Sequence, residues 1–124
     1  MFIIGAAGTL SLDTDSVHAI TDDIRRGSSI FAEIREKSAR SAMHGHEGIS
    51  IRDEKLEISG NRINVSCSAQ SADTLDGVSA SMDYVFQVCR GILLHYLPHW
   101  QRSAAELVSI RDICITYIRQ FQKG

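Results

Sequence analysis

The chain has 124 residues, 44% of them hydrophobic and 23% charged, which excludes a disordered or low-complexity protein and suits one domain, 1–124, with its own core. Fifteen acidic and thirteen basic side chains give a formal net charge of −2, and neither half of the chain is basic, so no bulk field would draw in a nucleic-acid backbone. No apolar run reaches the roughly 18 residues a membrane helix needs, and the apolar Met1–Gly8 stretch lacks the basic flank of a secretory leader.

Residues 2–12 hold two extended pieces, Phe2-Ile3-Ile4 and Thr9-Leu10-Ser11-Leu12, around Gly5-Ala6-Ala7-Gly8. They read as one strand or as a bent hairpin arm. The glycines do not make a dinucleotide turn, because the third glycine of that pattern is replaced by Ser11. Asp13, Thr14 and Asp15 are candidate N-caps for a helix carrying Val17, Ile20 and Ile24, with Arg25-Arg26-Gly27 as a cationic last turn and glycine stop. A second helix starts at Ser28 or Ser29 and runs to about Met43, with Ile30, Phe31, Ile34, Ser38, Ala39 and Ala42 on its apolar face. Glu33 with Lys37 and Glu36 with Arg40 stand at the favourable i,i+4 spacing. The apolar positions stay in phase across Gly27, so a single long helix is the alternative.

The middle of the chain is β. Ile49 and Ile51 alternate with polar residues, Arg52-Asp53-Glu54-Lys55 changes the phase, and Leu56 and Ile58 resume it. Ser59-Gly60-Asn61-Arg62 supplies turn chemistry before Ile63, Val65 and Cys67. If the first change of phase is a turn, this is a three-stranded antiparallel meander with one apolar face. A long helix capped by Ser71 or Asp73 follows, its seam Leu75, Val78, Met82, Val85, Cys89 and Leu93, ended by Pro98. The last helix is expected from Ser103, with Leu107, Ile110, Cys114, Tyr117 and Phe121 on one face and Val108, Ile115 and Ile118 on a second.

Cys67, Cys89 and Cys114 are odd in number, form no C-x-x-C pair and fall at apolar positions. They read as reduced packing thiols, which points to the cytoplasm.

Three features carry candidate chemistry. His44-Gly45-His46-Glu47, between a helix and a strand, offers two imidazoles and a carboxylate to a divalent metal, with no further ligand identified by spacing. Tyr96 and Trp100, on either side of Pro98, are anchor-type residues for a ligand mouth or a contact patch. Arg90 belongs to a polar stripe with Asp76, Ser79, Asp83 and Gln87, which reads as a solvated helix face. No nucleophile–base set can be assembled from spacing.

The expected fold is α+β in two layers: a three- or four-stranded antiparallel sheet, with the meander at its centre, packed against N-terminal and C-terminal helices. The expected function is a non-enzymatic protein-interaction module, self-associating as a homodimer or holding a protein partner. It would use Val108, Ile115, Ile118, Tyr96 and Trp100 together with the open edge of the meander. The alternatives are a divalent-metal protein using His44, His46 and Glu47, or a small-molecule sensor with an apolar pocket near Tyr96 and Trp100.

Overall fold

The structure, a computed structural model, describes residues 2–96 and the backbone of 117–122. The elements run β1 (Phe2–Ser11), α1 (Thr14–Arg25), α2 (Ser29–Met43), β2 (Ser50–Ser59), β3 (Arg62–Ser71), α3 (Thr74–Tyr96) and β4 (Tyr117–Gln122). The strands form one sheet in the order β2-β3-β1-β4, every neighbouring pair antiparallel. Because β1 and β2 both oppose β3, they run parallel to each other, and the consecutive helices α1 and α2 join them. This is the split β-α-β, ferredoxin-like connectivity, with two helices in the first crossover. The α+β class and the helix-on-sheet layering are those expected, and such a fold by itself assigns no chemistry.

Local signals explain the first crossover. The Asp13 carboxylate accepts the Ser16 N–H at 2.7 Å and starts α1. Gly27 sits at φ +68°, the left-handed conformation that lets the chain leave α1, and Ser28 then caps α2 by accepting the Ile30 N–H at 3.3 Å. These two caps separate the helices, so the single long helix does not form. The ion pairs Glu33–Lys37 (2.8 Å) and Glu36–Arg40 (3.2 Å) line the exposed side of α2.

The change of phase in the middle of the chain is a bulge, not a turn. Arg52 pairs with Ser68 and Lys55 with Ser66, so Asp53 and Glu54 together oppose Cys67 alone. Asp53 takes up the extra residue at φ 55°, a conformation aspartate tolerates. Ile51 before the bulge and Leu56 and Ile58 after it therefore all join the core side, opposite Ala69, Val65 and Ile63. The expected meander is thus a β2–β3 hairpin, and the third neighbour in the sheet is β1, which is a single ten-residue strand.

The core lies between the sheet and the helices, with Ile4, Ala6, Leu10, Ile63, Val65, Cys67 and Ala69 from the sheet all buried. The face that α3 buries is Gly77, Ala80, Ser81, Tyr84, Val85, Val88, Cys89, Ile92 and Leu93. Val85, Cys89 and Leu93 of the expected seam are buried, but in the first turns the face is rotated from it: Leu75 is 79% exposed and Val78 and Met82 are only half-buried. The small residues decide the rotation, since they let the first turns of α3 approach β1. A Cβ on Gly77 would run into the Ile4 Cδ1 methyl and stand 3.2 Å from Ser71 Cβ.

Residues 117–122, expected as the end of a helix, form β4, with Tyr117 in register with Ala7 and Phe2 with Gln122. Tyr, Ile and Phe favour extended backbone, and this strand pairs backbone groups along one side of β1 that would otherwise form an edge. Positions 103–116 of the expected helix lie outside the described residues. No helix among the described residues is long and apolar enough to cross a membrane.

Candidate functional site

Helices α2 and α3 pack side by side, and a groove of about 590 Å³ runs along their seam, within the usual range for binding sites. From α2 come Ile30, Glu33, Ile34, Lys37, Ser38 and Ser41; from α3 come Gln87, Arg90, Gly91, Leu94 and His95. Each set is one helical stripe with spacings of three and four. The α2 stripe extends for about 16 Å, or three turns. Gly91 lets the helices meet closely: a Cβ there would lie 2.9 Å from Ile34 Cγ2. Ile30, Ile34 and Leu94 supply the apolar surface, while the charged residues stand above it on either wall.

The two walls differ electrically. On α2, Glu33 is matched by Lys37, whose hydrogen bond and charge hold the Glu33 carboxyl below its ordinary value, and Glu36 is matched by Arg40. On α3, the Asp83 carboxylate accepts from the Gln87 amide at 3.3 Å, and Arg90 is exposed with no carboxylate partner among the described residues. His95, also exposed, stands on the same wall. Among the described residues the groove therefore carries a cation without a carboxylate partner on its α3 wall. Arg90 was legible in the sequence only as part of a solvated stripe; its place beside α2 comes from the helix crossing at Gly91 and Ile34, which spacing along one helix does not reveal.

The residues singled out from the sequence are dispersed. His46 Nδ1 lies 3.5 Å from Asp76 Oδ1, joining the α2–β2 loop to the first turn of α3, while His44 and Glu47 are exposed. Among the described residues no three His, Cys, Asp or Glu side chains come together as a metal ion requires. Val108, Ile115 and Trp100 lie outside the described residues. Ile118 is in β4, in register with Ala6.

Tyr96 closes the end of α3. Its ring stacks on Phe31 with centroids 5.8 Å apart, and its hydroxyl donates to Asp23 Oδ2 at 2.6 Å, tying α3 to both α1 and α2. The other Asp23 oxygen accepts from Arg26 at 2.7 Å. The Tyr96 hydrogen bond, and after it Arg26, holds the Asp23 carboxyl below its ordinary value. With the folded value below the unfolded one, the stabilisation from this latch is complete above the unfolded pKa and fades as pH falls through the folded one. Melting temperatures measured from about pH 6 down to about pH 2.5 are expected to fall less steeply for Asp23→Asn than for the wild type, although the variant starts lower. Equal slopes would show that the latch contributes nothing to acid sensitivity.

A second polar set lies beneath the β2 bulge. Arg35 of α2 donates to Glu54 Oε2 at 3.1 Å, and both interact electrostatically with the buried Tyr84 hydroxyl. The thiol of Cys67, opposite the bulge, lies 3.6 Å from the Ser81 carbonyl oxygen, to which it donates. Burial, with Glu54's charge adding to it, pushes Cys67 up to about 12 and pushes the Tyr84 phenol well above its ordinary value. Both groups stay protonated at neutral pH, the opposite of what a nucleophile or base needs. This arrangement pins β2 to the helices rather than activating a side chain.

Comparison with protein-family models gives no match, and neither does comparison with curated proteins.

Proposed function

We propose that this chain is a non-enzymatic protein-interaction module that receives the apolar face of a partner's helix in the groove between α2 and α3. The observation that supports this reading is the groove itself: three turns long, with apolar residues along its seam and charged residues on its walls. That is the form in which amphipathic helices are held by two-helix surfaces.

Ile30→Glu tests the reading cleanly. Ile30 is half-buried, lines the groove and stands in the first turn of α2, where an acidic side chain is compatible with the helix dipole. The tagged wild type is expected to recover a single protein near one-to-one from its native lysate. Ile30→Glu, with an unchanged circular dichroism spectrum and melting temperature, is expected to lose it. Recovery of the same protein by both would place the interface elsewhere, and recovery only of further copies of this chain would replace a hetero-partner with self-association.

A further inference from the structure

The groove's charge says which helices it would accept. We infer that the partner helix carries carboxylates along one border of its apolar face, set against Arg90 on the α3 wall. The inference rests on the groove reading above and adds the partner's chemistry to it.

The argument is one of charge balance. Glu33, the carboxylate that α2 contributes to the groove lining, already has its cation in Lys37 of the same helix. Asp83 is hydrogen bonded to Gln87. Arg90 stands at the middle of the α3 stripe, one turn from Gln87 on one side and from Leu94 on the other, with no such partner among the described residues. A helix laid along the seam with its apolar residues on Ile30, Ile34 and Leu94 brings one flank against Arg90. A carboxylate there forms a charge-assisted, geometrically matched pair with the guanidinium, whereas a lysine there meets a like charge as it loses water.

Two synthetic amphipathic peptides of about fourteen residues test this, identical in a leucine and alanine face and differing only in glutamates or lysines along its borders. Binding to the full chain is read by fluorescence anisotropy at low salt. The glutamate peptide is expected to bind about fivefold more tightly, the upper end of what a solvent-bordered ion pair supplies. Arg90→Glu, a change at an exposed position, is expected to reverse the preference. Equal binding of both peptides, unaltered by Arg90→Glu but lost in Ile30→Glu, would overturn the charge rule and leave the groove reading standing. Failure of both peptides to bind, or binding indifferent to Ile30→Glu, would overturn the groove reading itself. Decanoate binding that depends on Arg90, with neither peptide bound, would overturn both in favour of a small anionic amphiphile.

Discussion

Replacing Tyr84 by alanine is expected to cost about 3–5 kcal/mol of folding stability, as truncation of a large buried aromatic does. Tyr84 is 1% exposed and belongs to the main core cluster, together with the sheet residues Val65 and Cys67 and the α2 residue Phe31. Its loss leaves a void that rigid strands on one side cannot collapse to fill. It also removes the phenol beside Arg35 and Glu54, which anchors the bulged part of β2. Tyr84→Phe separates these terms. It keeps the ring and should cost only about 0.5–1.5 kcal/mol, the net value of one hydrogen-bonding group. Urea unfolding checks both: the midpoint should fall steeply for alanine and slightly for phenylalanine. A phenylalanine variant as unstable as the alanine one would mean that the hydroxyl, not the ring, holds this region together.

Gly77→Leu is expected to destabilise the fold by about 3 kcal/mol, the cost of overpacking where α3 meets the buried side chains of Ile4 and Ser71. At this position α3 lies against β1 so closely that even a Cβ collides with the end of Ile4, which is completely buried. Gly77→Ala sets two effects against each other. Alanine gains about 1 kcal/mol of helix propensity and loses more than that in the clash. Because the clash is with Ile4 Cδ1, deleting that methyl should relieve it. The double variant Ile4→Val with Gly77→Ala is therefore expected to be more stable than the sum of the two single changes, with a coupling of at least about 0.5 kcal/mol in thermal unfolding. Strict additivity would show that the helix shifts rather than clashes.

The parts of this fold that were legible in the sequence are those fixed by short-range chemistry. Asp13, Gly27 and Ser28 act through hydrogen bonds and backbone angles within a few residues, so the ends of α1 and α2 stood among the candidates in the sequence, while the choice between one long helix and two stayed open. The same holds for the Glu33–Lys37 and Glu36–Arg40 pairs. The bulge was visible as a phase change, but alternation alone treats an inserted residue and a turn alike; only the pairing of Arg52 and Lys55 with β3 separates them. The expected seam of α3 held at Val85, Cys89 and Leu93 but failed in the first turns, where the large side chains Leu75, Val78 and Met82 were taken as the buried face. The contact with the sheet is instead made where side chains are smallest, at Gly77, Ala80 and Ser81. The groove was not legible at all. It depends on how close two helices come at Gly91 and Ile34, a tertiary distance with no periodic signature.

The four charged residues in and around the bulge, Arg52, Asp53, Glu54 and Lys55, lie in β2, the outermost strand on one side of the sheet. Fibrillar growth requires each added molecule to offer one border to its predecessor and another to its successor. A border that is kinked and charged at its centre disfavours a successor, so the same residues that confused the reading of the strand also blunt this edge against open-ended addition.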